Sequence, residues 1–219
     1  MKILKAILFI LILSISLNSY AGPVVKAKQK KDRVSIHIDG KLFTEYKFSK
    51  RQKYPYFYPV NGPATGKSIT TETSEPYPHH HSLFFGCDHV SGGNYWQDSL
   101  ERGQIISESI KMIKTKGESI EFRDECVWKR PGAPCPFKDT RIVKIYAPSK
   151  DTRFIDFTIT LQAEINVTIT KTNHSLFSAR VMPELSVKNG GTMINSHGKT
   201  GEKGTWGNHA DWIDYGNTR

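Results

Sequence analysis

Short runs in which apolar and polar residues alternate dominate the chain from residue 33 onwards. The clearest run is Phe154–Ala163, in which nearly every second residue is apolar and the residues between them are polar. Because successive side chains of a strand point to opposite faces, this period predicts a strand with one buried and one solvated face. The buried face would carry Ile155, Phe157, Ile159, Leu161 and Ala163.

Similar but shorter patterns predict further strands at 33–38, 41–46, 54–59, 104–114, 119–128, 140–147, 166–170, 177–182 and 184–187. Asp39-Gly40 predicts a two-residue hairpin, since both central positions of such a turn need positive φ. The prolines of 54–59 favour an edge strand or a strand end. No segment keeps a 3.6-residue apolar period. The pattern therefore predicts an all-β protein, an antiparallel β-sandwich of jelly-roll or supersandwich-like type, with a single domain over 33–219.

The N-terminus has the composition of a signal peptide over residues 1–21. Lys2 and Lys5 precede an apolar core, and Ser19-Tyr20-Ala21 ends on small residues suited to cleavage. We expect an exported protein, periplasmic or extracellular, in which 22–32 is a flexible lead-in. The alternative is an uncleaved N-terminal anchor. No later segment is apolar enough to span a membrane.

The formal net charge is +10 and falls to +8 when Lys2 and Lys5 are removed. The basic residues are spread along the chain without interleaved aromatics, which argues against nucleic-acid binding and favours a solvated basic surface. Export permits disulfides. Cys126 and Cys135 flank the turn signal Pro131-Gly132, so we expect them to pair across a hairpin, with Cys87 left as a buried thiol.

Half of the eight histidines lie in residues 79–96, which we call the histidine stretch: His79, His80, His81 and His89. In an extended segment His79 and His81 would share a face, and His89 or Asp88 could add a third ligand, so a divalent metal is one hypothesis. A second assigns acid/base chemistry to His80, His81 and Asp88, with Trp96 contacting a substrate. Histidines that cap strands, pack on aromatics or lie exposed are the structural alternative.

Residues 195–215, the tryptophan stretch, combine Trp206 and Trp212 with Asn195, His197, His209, Asp211 and Asp214. An indole face suits the apolar side of a sugar ring, and short polar groups suit its hydroxyls. We expect Asn195, Trp206 and Trp212 to bind substrate and His197 and Asp211 to act as catalytic groups. Asp88 with Asp211 or Asp214 could form a glycosidase-like carboxylate pair. The alternative is that both tryptophans plug one end of the core.

Two motifs resemble the PmoA-like family of bacterial proteins, often labelled methane oxygenase PmoA. The first is Tyr-Phe-Tyr-Pro at 56–59, then a His pair and Phe-Gly-x-x-x-Val-x-Gly-x-x-x-Trp at 85–96. The second is Asn-Ser-x-Gly-Lys-Thr-Gly-Glu at 195–202, then Trp-Gly-x-x-Ala-Asp-Trp-Ile-Asp-Tyr at 206–215. The resemblance covers residues 53–215.

The PmoA-like resemblance implies a role near polysaccharide and sugar metabolism. It does not imply the oxygenase activity of the label, which belongs to a membrane subunit with several spans. PmoA-like proteins usually carry Arg after the His pair, where this chain has Ser82, and usually continue past the Asp-Tyr motif. We therefore expect a C-terminally incomplete member.

These observations lead to three hypotheses. The first is a carbohydrate-related role, sugar binding or lyase- or hydrolase-type processing, at a His/Asp/Trp loop site. The second is a metal-dependent oxidoreductase using the 79–89 histidines. The third is a non-catalytic interaction module of the cell envelope, which would expose a large apolar patch.

Overall fold

The computed structural model describes residues 22–73, 77–97, 99–172 and 175–217. The predicted signal peptide lies outside these residues. The strands are β1 Val25–Gln29, β2 Arg33–Ile38, β3 Lys41–Lys47, β4 Tyr56–Val60, β5 Leu83–Cys87, β6 Gln104–Lys114, β7 Lys116–Gly117, β8 Ser119–Lys129, β9 Phe137–Tyr146, β10 Phe154–Ala163, β11 Ser175–Ala179, β12 Thr192–Asn195 and β13 Ile213–Gly216. A short helix, α1, spans Gly201–Thr205, and 3-10 turns span Leu100–Arg102, Pro183–Leu185 and Val187–Asn189.

The strands form antiparallel sheets, which confirms the all-β sandwich-like fold. The larger sheet has the order β11-β5-β4-β3-β2-β1-β7, and the second has the order β10-β9-β8-β6. Side chains of the two sheets meet face to face: the Tyr46 and Phe122 ring centroids lie 5.2 Å apart, and those of Phe57 and Phe157 6.2 Å. Strands β12 and β13 form a separate two-stranded sheet.

The β2–β3 hairpin forms as predicted. Asp39 and Gly40 have φ values of 49° and 79°, the left-handed conformation that the two-residue turn requires. Residues 54–59 fit the predicted strand end, because Pro55 directly precedes β4 and Pro59 is its last residue but one. The strand is not an edge strand, since β4 lies inside the large sheet between β3 and β5. Pro59 is tolerated there because the β3–β4 register is irregular around it, and the paired positions are Val60 and Phe57.

The predicted flexible lead-in is wrong for residues 25–29, which form β1 between β2 and β7. Val25 and Ala27 alternate with lysines and are buried in the sandwich. The high lysine content conceals this short period in the sequence. The lysine side chains point to the solvated face of the sheet, where their ammonium groups keep their hydration and cost the fold little stability.

A buried polar band separates two apolar clusters in the core. In it, Asp124 accepts hydrogen bonds from the Tyr46 hydroxyl (2.7 Å) and the Ser107 hydroxyl (2.6 Å). Burial raises the pKa of the Asp124 carboxyl, although Arg141 and the hydrogen bonds act in the opposite direction. The band consists of Tyr46, Ser107, Asp124, Cys126, Asp139 and Arg141, all in the buried class.

The second half of the band is a buried ion pair. The Arg141 Nε donates to Asp139 Oδ1 (2.8 Å) and its Nη2 to Asp139 Oδ2 (3.1 Å), while the Trp128 indole N–H donates to the same carboxylate (2.7 Å). A bidentate pair with a third donor is the geometry that offsets the desolvation of two buried charges. The band therefore joins the large sheet, through Tyr46, to strands β8 and β9.

The predicted disulfide is absent, since Cys87, Cys126 and Cys135 are all free thiols. The β8–β9 register places Cys126 opposite Asp139, four residues beyond Cys135, so the two cysteines are not cross-strand partners. The Cys126 thiol instead donates to Asp124 (3.3 Å), and the Cys135 thiol donates to the carbonyl of Phe137 (3.1 Å).

Strand β10 has the predicted bounds but a less buried face than its alternation predicts. Ile155, Phe157 and Ile159 are only half-buried, and Leu161 is exposed. The reason is its position: β10 is an edge strand of its sheet. Phe177 of β11 covers part of it, with its ring stacked on Phe157 at 5.2 Å. Among the described residues, no helix is long and apolar enough to cross a membrane.

Candidate functional site

The histidine stretch contains β5, which places it in the large sheet by pairing with β4 and β11. Gly86 is required in β5, because a Cβ at this position would lie 2.8 Å from the carbonyl oxygen of Tyr95. This close approach brings Trp96 against Phe84, with ring centroids 4.7 Å apart. The residues on both sides of β5 thus pack on an aromatic core.

His81 packs on the aromatic residues of β4 and the segment before it. Its ring stacks on Tyr56 (centroids 4.9 Å apart) and meets Tyr54 edge-on (5.9 Å). Its Nδ1 lies 2.7 Å from the carbonyl oxygen of Glu72. A carbonyl only accepts, so Nδ1 carries the proton and Nε2 the lone pair. Burial lowers the pKa of His81, outweighing the hydrogen bond to Glu72, so the imidazole is neutral at pH 7.

Glu72 links His81 to a lysine and a tyrosine. The Tyr56 hydroxyl donates to Glu72 Oε1 (2.7 Å), and Lys47 Nζ forms an ion pair with the same oxygen. Burial acts to raise the pKa of Glu72, but the hydrogen bonds from Lys47 and Tyr56 outweigh it and lower the pKa. The ammonium of Lys47 also lies over the rings of Tyr56 and Tyr58. A neutral imidazole, a carboxylate and an ammonium thus adjoin one aromatic surface.

His79 and His80 lie at the rim of this group. Their rings meet edge-on, 4.4 Å apart, and His80 also stacks on Tyr77 (5.2 Å), which is 49% exposed. The Tyr54 hydroxyl donates to the carbonyl of His79 (2.7 Å), which fixes the backbone there. His79 and His80 of the histidine stretch, together with the neighbouring Tyr77, form the solvent-facing rim on this side.

The other predicted residues of this stretch are not placed as a ligand site. Trp96 is 5% exposed and packs on Phe84, so it offers no free ring face to a substrate. Asp88 is buried, whereas His89 is exposed on a turn with φ of 53°. His79, His81 and His89 do not form the predicted metal cluster. Across the described ranges, no three His, Cys, Asp or Glu side chains come together in a way that could hold a metal ion.

Asn94 organises the end of the histidine stretch. Its Oδ1 accepts the backbone N–H groups of Trp96 (2.9 Å) and Gln97 (2.8 Å). A buried side-chain amide that accepts two backbone donors fixes a turn. The position of Trp96 therefore depends on Asn94 as well as on its packing.

The tryptophan stretch forms a small unit of β12, β13 and α1. Asn195, only 1% exposed, accepts the backbone N–H groups of His197 (3.1 Å) and Lys199 (3.0 Å) through Oδ1. Ser196 accepts the backbone N–H of Asp211 (2.9 Å). Asn195, predicted to bind substrate, instead shapes the loop that carries His197.

The side chains of this unit that were predicted to bind a substrate through an indole ring or to act as catalytic groups lie on its surface. Trp206 is 73% exposed and Trp212 is 54% exposed, so they do not plug the end of the core. His197, His209, Asp211 and Asp214 are exposed as well. Asp88, in contrast, is buried beside β5.

The sequence interpretation did not single out Lys47, Glu72 or Tyr56. The tyrosines at 54, 56 and 58 are a signal that could have found Tyr56, because residues two apart in a strand point to the same face. Glu72 lies in the long loop after β4, where the sequence has no pattern that marks it. Only the folded loop places it beside Lys47.

Comparison with known proteins gives a family and nothing further. No curated protein and no solved structure matches the chain. The profile of one family, described as a family of unknown function (DUF6807), matches residues 33–219. This match includes the whole sandwich from β2 onwards and both candidate stretches, and the chain therefore belongs to the DUF6807 family.

Proposed function

We propose that the protein binds carbohydrate, with Trp206 and Trp212 as stacking platforms. The observation that carries the proposal is their exposure, 73% and 54%, in a unit that also presents His197, Asp211 and Asp214. A large aromatic ring left in water forgoes the burial that stabilises folding by roughly 1.5–3 kcal/mol. Exposed tryptophans beside short polar groups are typical of surfaces that bind a ligand.

A second feature of the unit supports the proposal. The Oδ1 of Asn195 is saturated by two backbone donors, while its Nδ2 is buried without a hydrogen-bond acceptor in the described chain. A buried donor left unpaired costs about 1–3 kcal/mol. An oxygen-rich ligand seated on this unit would supply an acceptor after a small local opening.

The catalytic form of the proposal assigns acid/base chemistry to His81. Its neutral imidazole with a lone pair on Nε2 is the form needed in a general base. The geometry does not favour the metal-dependent oxidoreductase, since the histidines do not converge. The resemblance to PmoA-like proteins and the export of the chain remain parts of this proposal.

The test is affinity electrophoresis of the purified protein in gels containing soluble polysaccharides. Trp206→Ala and Trp212→Ala should each weaken retardation at least tenfold in Kd, which corresponds to about 1.4 kcal/mol. Phe154→Ala removes an exposed aromatic residue of β10 and is the matched control. Unchanged retardation in the double tryptophan variant, with the fold intact by circular dichroism, would refute the proposal.

A further inference from the structure

Two clefts on the edge of the β2–β3 region merge into one groove. The first, of about 650 Å³, lies between the β3–β4 turn and the bulged part of β6. The second, of about 290 Å³, continues it towards β4. The two share Asp32, Ser49 and Arg51 in their walls, so they form a single groove, which we call the basic groove.

The groove is strongly positive. Its walls contain five basic residues and two acidic ones: Lys31, Arg33, Lys47, Lys50 and Arg51 against Asp32 and Glu108. Arg33 is paired with Asp32 and Glu45, and Lys47 with Glu72. The remaining three, Lys31, Lys50 and Arg51, are exposed and form no ion pair with any described carboxylate.

The three unpaired cations extend from hydrogen-bonded backbone rather than from loose loops. Gln104 Nε2 donates to the carbonyls of Lys50 and Gln52, both at 2.6 Å. Gln52 in turn closes the turn by accepting the backbone N–H of Ser49 (2.9 Å). Beside Lys31, the backbone N–H of Phe48 donates to the carbonyl of Asp32 (2.9 Å). Fixed backbone lowers the entropy that a ligand must remove on binding.

One end of the groove reaches the group around His81. Tyr56 lines the second cleft, its hydroxyl donates to Glu72, and its ring stacks on His81. A chain bound along the groove would therefore extend from the unpaired cations to Tyr56, the stacking partner of His81.

We propose that the basic groove binds an acidic glycan, a polysaccharide whose carboxylate or sulfate groups are held by Lys31, Lys50 and Arg51. Arg and Lys bind such oxyanions through charge-assisted hydrogen bonds. Three unpaired cations in one groove favour a ligand that carries several anionic groups over a ligand with a single one. The groove holds no set of exposed aromatic rings on which bases could stack, which disfavours single-stranded nucleic acid. This inference rests on the carbohydrate-binding proposal and narrows its ligand class.

The test measures retardation of the full chain in gels containing polygalacturonate, a sulfated galactan, neutral galactan or single-stranded DNA. The triple variant Lys31→Glu, Lys50→Glu, Arg51→Glu is compared with Lys111→Glu, Lys150→Glu, Lys188→Glu, which makes the same charge change at exposed positions elsewhere. We expect at least a tenfold loss of affinity for an acidic glycan in the groove variant and less than a threefold loss in the control. Affinity of the wild type should fall steeply with salt.

Polygalacturonate carries carboxylates and the sulfated galactan carries sulfates. Tighter binding of either one, lost in the groove variant, supports the basic groove as the binding site. Equal losses in the two triple variants would overturn the inference, as would tighter binding of DNA than of either acidic glycan. Binding of neutral galactan as strong as that of the acidic glycans, lost in the tryptophan variants alone, would overturn the groove and leave carbohydrate binding intact. Absence of binding to every glycan would refute both proposals.

Discussion

The histidine stretch and the tryptophan stretch look similar in sequence, yet the fold treats them oppositely. Both combine tryptophan, histidine, aspartate and asparagine, and in both an asparagine, Asn94 or Asn195, accepts two backbone N–H groups. Trp96, however, is buried, while Trp206 is 73% exposed. The difference follows from sheet membership. Strand β5 is internal to a seven-stranded sheet, whereas β12 and β13 pair only with each other.

The comparison teaches that residue types alone do not reveal which stretch meets a ligand. Strand β5 has a neighbouring strand on each side. The aromatic side chains of β5 and of the residues that follow it are therefore buried in the core. A two-stranded sheet has too little area to bury its own aromatics and leaves them in water. The histidine stretch therefore contributes much of its aromatic surface to the core, while the tryptophan stretch offers an open surface.

The largest expected contrast is between two tryptophan-to-alanine substitutions. Trp96→Ala should lower the free energy of unfolding by about 3–5 kcal/mol, because it leaves a cavity against Phe84 and His80. Trp206→Ala should change it by less than about 0.5 kcal/mol, as is usual for exposed sites. Urea unfolding followed by circular dichroism measures both. Comparable losses at the two positions would mean that the tryptophan stretch is packed in solution.

A smaller contrast is expected between the two asparagines. Asn94→Ala and Asn195→Ala each leave two backbone N–H groups without their acceptor, at a cost of about 0.5–1.5 kcal/mol for each hydrogen bond lost. For Asn94 the loss should appear in global unfolding, since its turn carries Trp96. For Asn195 it should appear mainly as faster hydrogen exchange at His197 and Lys199.

Asn94→Asp and Asn195→Asp are the matched controls, because a carboxylate oxygen can accept the same two donors. If hydrogen exchange in the Asn195→Ala variant rose evenly over the whole sandwich, the separate behaviour of the two stretches would be disproved.

The pH dependence of stability should distinguish His81 from the exposed histidines. Burial lowers the pKa of His81, so as the pH falls the unfolded chain binds a proton at this histidine before the folded chain does. Stability contributed by this site is present above about pH 6.5, the ordinary value for histidine, and is lost as the pH falls towards the lowered pKa. His81→Phe should flatten the stability curve in that window.

His209→Phe, at an exposed position of the tryptophan stretch, is the control and should leave the curve unchanged. Glu72 also has a lowered pKa, but its contribution is lost at a more acidic pH, through and below the range of ordinary glutamate titration. A wild-type curve that is flat between pH 5 and 7 would contradict the burial of His81.

The smallest expected effect is spectroscopic and leaves stability unchanged. The four tryptophans divide into two buried ones, Trp96 and Trp128, and two exposed ones, Trp206 and Trp212. Trp206→Phe with Trp212→Phe should shift the fluorescence emission to shorter wavelength and remove most of the quenching by acrylamide. Quenching that persists in the double variant would show that Trp96 or Trp128 reaches solvent.

Much of the fold could be predicted from local pattern. Asp39-Gly40 specified its hairpin because the turn chemistry is local, and the alternation of Phe154–Ala163 gave the bounds of β10. The exposure of the β10 face could not be predicted, because it depends on which strands lie beyond and opposite the edge. The same limit applies to β1, whose buried Val25 and Ala27 are hidden among lysines.

The candidate site was predictable in residue type and not in arrangement. The histidine stretch was recognised, but the partners of His81 come from Tyr56 in β4 and from Glu72, nine residues earlier in a loop without pattern. The disulfide prediction between Cys126 and Cys135 was wrong, since the β8–β9 register sets Cys126 opposite Asp139 and sequence spacing does not reveal register. Exposure of Trp206 and Trp212 depends on β12 and β13 forming a two-stranded sheet, with no third strand beside them among the described residues.

The buried polar band also determines which arrangements of the two sheets the chain rejects. If the large sheet slid by two residues along β8, the Tyr46 hydroxyl would lose Asp124 and face an apolar neighbour, while a carboxylate would be left unpaired in the core. Breaking a buried charged network by removing one partner costs about 3–5 kcal/mol. Apolar contacts tolerate such a shift far better than these directional bonds. The band thus fixes the position of the large sheet relative to the sheet that contains β8 and β9. Several other relative positions would bury a similar apolar area but would break these hydrogen bonds.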